Sequence, residues 1–367
     1  MKVLHLLAMT NRGGAEMLTL DVCRNAKKND LDLIVVSLGT GNLEMEFINS
    51  GVVYINLNRK MSLDVKVILK LRRIIKKYNI DIIHSHSIVA AIHAYFAIFL
   101  LNVKLIITHH GFTAYRKIQD ESARKFLKPR VDLNIAVSKS YLEELNKGKH
   151  NRNFIVIYNG IDVKKFYTTK KEFRKELNLS DDDFLLGMIG NFYTGVRDQL
   201  TVCKSLPSVF KRFSNVHFVF VGGRSNEYPN FFDECYDYCK EKEILDRVHF
   251  IGVRPDINDI LNSIDLFVYS SNYDSFGIAV IEALLEGVPV IINDLPPLLE
   301  VTNDGKYAEV FKSKSPEDLT DKIIKSIENF DIIKSSDEGK LWALSKFSIE
   351  QHIKNLIDTY KKLLCVA

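Results

Sequence analysis

Short β-branched and leucine-rich runs alternate with amphipathic stretches along this chain, and the scheme starts twice. Strands that read as unbroken apolar runs must be covered on both faces, and helix-length segments between them supply the crossovers that parallel strands need. The first half is expected to hold strands at 2–7, 32–37, 52–57, 82–84, 105–108, 133–137 and 154–157, with helices such as 14–29 and 64–78 between them. The second half restarts with strands at 184–189, 217–221, 248–251, 266–269, 289–292 and 308–311. The polar, turn-rich stretch 159–169 reads as a linker, so the expected domains are 1–165 and 166–345. The stretch 347–364 reads as a helix, expected to return to the first domain, so that 346–367 packs back on it. At 367 residues the chain is too long for one core and comfortable for two α/β domains. The openings of the two halves, 4–18 and 185–200, each run strand, glycine-containing loop, helix, which places strand C-terminal ends around a shared cleft.

Charge is divided unevenly. Residues 1–165 carry 26 Lys/Arg against 14 Asp/Glu, a net +12, while the remainder carries 24 against 32, a net −8. A basic first half points to an anionic partner. Basic segments stand at 70–77 (Lys70, Arg72, Arg73, Lys76, Lys77) and at 116–130 (Arg116, Lys117, Arg124, Lys125, Lys128, Arg130). They lack interleaved aromatics and any recognition motif, which counts against a nucleic-acid binder. The five cysteines are odd in number and scattered, which suits a reducing compartment. Cys235 and Cys239 stand four apart on an expected helix, with no second Cys/His pair nearby in sequence to complete a metal site. Val3–Met9 is apolar but runs into Asn11-Arg12-Gly13-Gly14, not a small-residue cleavage site, so a cytoplasmic location is expected. The longest apolar run, 88–101, contains His93 and is too short to span a bilayer; it reads as a buried helix.

The stretch from Ser270 to Val290 is the most informative. It reads strand end, loop, helix, glycine stop, strand. Gly277 falls where the helix begins, so backbone N–H groups of Gly277, Ile278 and Ala279 are expected to be free for phosphate oxygens. Glu282 lies one turn further in, within reach of ribose hydroxyls if phosphates sit on that helix end, and Asp274 in the loop is placed to hold a sugar hydroxyl. The plainer reading, a βαβ unit with a solvated acidic helix start, stays open on these residues alone.

This stretch resembles the acidic motif of the retaining glycosyltransferase family 4 (glycosyl transferases group 1), a GT-B fold family in which two acidic residues are separated by seven others. Here the second is Glu282 and the first is Asp274, where the family usually has Glu. Other segments match in order. Gly13-Gly14-Ala15-Glu16 resembles the N-terminal glycine loop, and Thr108-His109-His110-Gly111 the strand-end histidine segment, with His110 aligned to the functional histidine near the donor sugar. Val137-Ser138 and Tyr158-Asn159-Gly160-Ile161-Asp162 resemble landmarks entering the linker. After the first strand of the second domain the family has Gly-Arg and later a Lys; here Gly190 precedes Asn191, and Arg197 takes the Lys position. An arginine there can hold a diphosphate bidentately, although a surface residue at a helix start remains the alternative. Gly222, and Val253 with Arg254, stand at strand edges that in the family line the nucleotide, the second largely through backbone, and Phe276 in the acidic stretch is a further expected donor contact.

The resemblance implies an α/β GT-B fold of two Rossmann-like domains with a central cleft. It implies a retaining transferase moving a sugar from a nucleoside-diphosphate sugar to a saccharide or lipid-linked acceptor in bacterial surface polysaccharide assembly, peripheral on an anionic membrane. Catalytic roles would fall to His110, Asp274 and Glu282. The histidines His84 and His86, on alternate positions of a strand end beside His109 and His110, suggest a chelate. The resemblance argues against it, since these transferases generally need no catalytic metal, and none is expected. A sugar-nucleotide epimerase or hydrolase on the same fold is the alternative.

Overall fold

The computed structural model describes residues 1–111, 118–146, 153–166, 172–193, 195–330 and 337–365. It divides into two compact units, Met1–Asp162 with Phe347–Ala367, and Val163–Lys346. The basic residues Arg116 and Lys117 and the linker positions 167–169 lie outside the described residues.

The first unit is a seven-stranded parallel sheet of β1 (Lys2–Leu7), β2 (Asp32–Ser37), β3 (Val53–Asn56), β4 (Ile82–Ser85), β5 (Lys104–His109), β6 (Leu133–Ala136) and β7 (Phe154–Val156). Their spatial order is β3-β2-β1-β4-β5-β6-β7, so the winding direction reverses between β1 and β4. Alternate residues of β1 feed two cores. Val3 and Leu7 join one on one face, Leu4 and Leu6 the other on the opposite face. The second face is covered by the helix Val65–Tyr78, through Val67, Leu71 and Ile75, and by the helix Ile88–Ala97. The first helix is capped by Asp64, whose carboxylate accepts from the amides of Lys66 and Val67 at 3.0 and 3.3 Å. The buried His93 accepts the Asp64 N–H at 3.1 Å and bonds the Val89 carbonyl, so it braces two helices.

The last helix, Ile349–Cys365, completes the first unit. Ile349, Ile353, Leu356 and Tyr360 recur at helical spacing and are buried against the β1 core, an amphipathic stripe docked on the sheet. Gly160 is needed where the chain leaves the unit: a Cβ there would stand 2.6 Å from the Cβ of His352 and 2.9 Å from the Cα of Ile349. The Tyr158 carbonyl bonds His352 Nδ1 at 2.6 Å beside it.

The second unit has β8 (Phe184–Ile189), β9 (Val216–Val221), β10 (Val248–Phe250), β11 (Leu266–Tyr269), β12 (Val290–Asn293) and β13 (Glu309–Phe311), all parallel, in the order β10-β9-β8-β11-β12-β13. Here the reversal falls between β8 and β11. Differences from the sequence expectation are confined to ends. The strand expected from position 289 starts at Val290, because Pro289 has no N–H for the ladder. The helix expected over 14–29 ends at Ala26 and closes as a 3-10 turn, Lys27–Asn29, where Asp30 takes a left-handed φ of 52°. Among the described residues no helix is long and apolar enough to cross a membrane.

Candidate functional site

Crevices at the carboxyl ends of strands, where a parallel sheet reverses its winding, are where such sheets bind ligands. In the second unit that position is formed by the segments after β8 and β11. Arg197 and Ser271 bring the two segments together as an isolated antiparallel bridge. The Arg197 guanidinium donates from Nη1 to Ser271 Oγ at 3.0 Å and to the Tyr273 carbonyl at 3.1 Å, and stands 3.3 Å from Asp274 Oδ2. It lies over the Tyr269 ring at 5.3 Å. With a quarter of its side chain exposed (25%), Arg197 is held in the crevice and is not a loose surface residue. All three contacts fall on Nη1, so among the described residues Nε and Nη2 keep N–H donors, the requirement for gripping a phosphate.

Asp274 is the hub of the loop. Its Oδ1 accepts from the amides of Ser275, Phe276 and Gly277 at 2.8, 3.1 and 3.1 Å, while Oδ2 accepts from Tyr269 Oη at 3.0 Å. Burial pushes the Tyr269 phenol well above its usual range, which keeps it a donor. This corrects one expectation: the Gly277 N–H is taken by Asp274 and is not free for phosphate. The amides of Ile278 and Ala279 begin the helix Ile278–Glu286 and have no acceptor one turn back within it. Gly277 has a φ of 86°, and a Cβ there would meet Leu298 Cδ2 at 2.8 Å, so only glycine fits this bend without strain. Glu282 follows on the same helix, half-buried.

Other expected donor contacts have different tasks. Asn191 Oδ1 accepts the Gly223 N–H at 2.8 Å and so ties the ends of β8 and β9. Gly222 is a packing position, since a Cβ there would come 2.2 Å from the Gly190 carbonyl oxygen. The Phe276 ring is buried and its amide belongs to Asp274, so it meets a ligand with neither. Val253 is two-thirds exposed (68%). Arg254 is committed to two carboxylates: it donates to Glu176 at 2.5 and 3.0 Å and to Asp256 at 2.8 and 2.7 Å. That clamp pins the strand end to the helix Glu172–Glu176, and all three guanidinium nitrogens are engaged in it. The buried thiols of Cys235 and Cys239 are joined by Cys203, whose own thiol is pushed up by burial and by the two neighbours.

Sequence reasoning missed Asn293 and Gln199. Asn293 reads both backbone groups of Ser271, accepting its N–H at 3.0 Å and donating to its carbonyl at 2.9 Å. Gln199 donates to the Gly190 and Asn191 carbonyls at 3.1 and 3.3 Å. The signal for Asn293 was a buried-strand run ending on an amide.

In the first unit the reversal falls beside the glycine loop. Gly13 precedes the helix Gly14–Ala26, and a Cβ on it would lie 2.6 Å from Glu16 Oε2, so the Glu16 carboxylate folds back over this helix start. Burial pushes the Glu16 pKa up. Gly41 lets the 39–42 loop press on Thr10, where a Cβ would come 2.2 Å from backbone carbon.

His110, just past β5, meets a group that sequence spacing only half revealed. His84 and His86 are joined by His5 from β1, paired directly to His84 in the sheet, and ring nitrogens of the three lie within 4.8 Å of one another. His109 points elsewhere, to Asn134 Oδ1 at 3.0 Å. His86 bonds His110 at 3.0 Å and His5 at 3.1 Å, while Tyr360 from the last helix bonds His5 at 3.1 Å and His84 at 2.6 Å. Burial, then neighbouring histidines, push His5 and His110 down to about 3 and His84 and His86 well below their usual range, so all four rings are neutral near pH 7.

Two family models match the chain, Glycosyltransferase Family 4 over residues 12–165 and Glycosyl transferases group 1 over residues 169–335. The O-antigen biosynthesis glycosyltransferase WclY of Escherichia coli is 29% identical over 177 residues, which are 47% of this chain and 46% of that relative, about half its length. The capsular polysaccharide biosynthesis glycosyltransferase CapH of Staphylococcus aureus is 26% identical over 318 residues, 82% of this chain and 83% of that protein. HepE of Anabaena, solved in complex with UDP and glucose, shares the fold with a TM-score of 0.85 at 18% identity, over 99% of this chain and 100% of its own.

Proposed function

Because the chain belongs to the GT-B glycosyltransferases that pair these two domains, we propose that it transfers a sugar from a nucleoside-diphosphate donor, with retention of anomeric configuration, to a saccharide or lipid-linked acceptor. The observation that carries this reading is the Arg197 guanidinium held at the β8–β11 reversal, beside the start of the helix that bears Glu282. A diphosphate leaving group gathers negative charge as its bond to the sugar breaks. Arg197 and the amides of Ile278 and Ala279 are fixed donors for that charge before the reaction begins, which is where electrostatic catalysis draws its advantage. Glu282 orients the ribose. Asp274 fixes Arg197 and the helix bend, so its effect on the sugar runs through the loop it organises as well as through any direct contact. The first unit takes the acceptor side; its Gly13 and Gly14 are assigned to the donor phosphate or acceptor, and His110 to the donor sugar. Retention proceeds by same-face displacement, with the departing diphosphate taking the proton of the acceptor hydroxyl.

Neutralisation by Arg197 and helix amides requires no divalent ion, so transfer proceeds without a metal. An NMR time course with a nucleotide sugar and acceptor in excess EDTA tests both statements. The first product carries the donor's anomeric configuration at an undiminished rate. An inverted first product refutes retention, and activity lost to EDTA and restored by Mg²⁺ refutes metal independence.

Relatives named for O-antigen and capsule synthesis support a place in surface polysaccharide assembly. An anionic membrane surface fits the first unit. Lys70, Arg73, Lys76 and Lys77 are exposed on the helix Val65–Tyr78, and Leu69, Phe99 and Leu100 are exposed beside them. Basic and apolar groups on one face are what binds a charged lipid interface. Arg72 is not part of that face: it donates to the carbonyls of Ala97 and Phe99 at 2.8 and 2.7 Å and holds the apolar turn in place.

A further inference from the structure

Six side chains in the first unit form one continuous run of hydrogen bonds. His110 Nε2 meets His86 Nδ1 at 3.0 Å, His86 Nε2 meets His5 Nδ1 at 3.1 Å, and His5 Nε2 meets Tyr360 Oη at 3.1 Å. Tyr360 Oη continues to His84 Nδ1 at 2.6 Å, and His84 Nε2 ends on Thr108 Oγ1 at 2.6 Å. Each neutral imidazole has one N–H and one bare nitrogen, and each hydroxyl has one proton. Six protons therefore serve five links. If His86 donates toward His5, its Nδ1 is bare and His110 must donate to it; the same constraint passes along every link. With Tyr360 donating inside the run, only two arrangements satisfy all five bonds. Either every group donates toward Thr108, which puts the His110 proton on Nε2, or every group donates toward His110, which puts it on Nδ1.

We infer that the run is a single tautomeric unit and that Tyr360, on the last helix, is a positioning residue that sets whether His110 offers a hydrogen-bond donor or an acceptor at Nδ1. Tyr360, His5 and His84 are essentially shielded from water (0%, 0% and 1% exposed), and the part-exposed His86 has both ring nitrogens engaged within the run. Burial also keeps the imidazoles neutral, the form that has one donor and one acceptor. A shared metal ion is disfavoured by the same geometry. The rings of His84 and His86 stack at 4.6 Å and an interplanar angle of 25°, which does not aim both at one point, and both nitrogens of His84 already face hydroxyls. The bearing of this unit on catalysis rests on the reading of His110 as a ligand contact; the proton order does not.

The test uses full-length protein labelled with ¹⁵N-histidine. Long-range ¹H–¹⁵N correlation assigns each tautomer, and ¹⁵N–¹⁵N couplings across N–H···N bonds show which rings share a proton. The wild type is expected to show couplings for His110–His86 and His86–His5 and one tautomeric sense throughout. In Tyr360→Phe, local loss at His5 and His84 is expected of any model. The distinguishing result is at His110, two rings beyond the nearest contact, whose tautomer becomes mixed or reversed. An unchanged His110 and His86 tautomer in that variant overturns the inference. So does a wild-type protein that lacks both couplings, or that carries one equivalent of transition metal on these rings. If Tyr360→Phe does not fold, the wild-type couplings alone decide.

Discussion

Acidification from pH 7.5 to 5.5 should destabilise the first unit selectively. His5 and His110 are pushed down to about 3 and His352 to about 4, in each case chiefly by burial. A histidine whose folded pKa lies below its unfolded value of about 6.5 binds more protons unfolded, so its contribution is intact above pH 6.5 and drains away as pH falls toward the folded value. Over this pH step each of the three costs about 1.4 kcal/mol, about 4 kcal/mol together. His84 and His86 are shifted the same way and add to the loss. The second unit responds less. Its half-buried His217 and His249 shift in the same direction, but Glu286 is raised by burial to about 7, and a carboxyl raised above its unfolded pKa gains stability as pH falls. The single tryptophan, Trp342, belongs to the second unit and reports on it alone, while far-UV circular dichroism sees both units. With a urea slope of about 2 kcal/mol/M, the circular dichroism transition of the first unit should move down by about 2 M, leaving the Trp342 fluorescence transition behind. Equal shifts by both probes, or none, would refute the assignment of buried neutral histidines.

Five variants probe the rest. Gly277→Ala forces a side chain into the left-handed region and against Leu298, and should destabilise the second unit by about 1–3 kcal/mol, read as a lower Tm. Asn293→Ala leaves both backbone groups of the buried Ser271 short of a partner and should cost about 1–3 kcal/mol in urea melts. Glu282→Gln should lose transfer with the melting curve unchanged, whereas Asp274→Ala should lose activity and stability together; wild-type turnover in folded Glu282→Gln would remove it from the site. Neutralising Lys70, Arg73, Lys76 and Lys77 together should reduce sedimentation with anionic liposomes, most clearly at low salt, and a wild type that never sediments ends the membrane reading.

Much of the architecture was legible because apolar runs and amphipathic segments obey local rules. Strands such as 2–7, 32–37, 184–189 and 266–269 have the expected ends. Strand order was not legible, since it depends on which runs pair across long separations; His5 and His84 are neighbours in the sheet yet 79 positions apart. For the same reason the histidine group was half seen, as His84, His86 and His110 with His109, which turns to Asn134, and without His5 or the Tyr360 hydroxyl. Around the β8–β11 crevice, residue types and spacing led to Asp274 and Gly277, and the family resemblance led to Arg197. Their division of labour was hidden, because a carboxylate that caps three amides and one that binds a ligand look alike in sequence. Arg254 shows the converse: a basic residue at an edge expected to line the nucleotide has its side chain held by Glu176, 78 positions away in sequence.

The central claim is that the second unit binds a nucleoside diphosphate through Arg197 at the β8–β11 reversal. Calorimetric titration of UDP, GDP and ADP into wild type and Arg197→Ala, both full length, tests it directly. The wild type should bind at least one of the three. The variant, having lost a charged hydrogen bond worth about 1.5–3 kcal/mol, should bind that nucleotide roughly tenfold or more weakly while melting as a folded protein. Equal affinity in the two proteins would contradict the account.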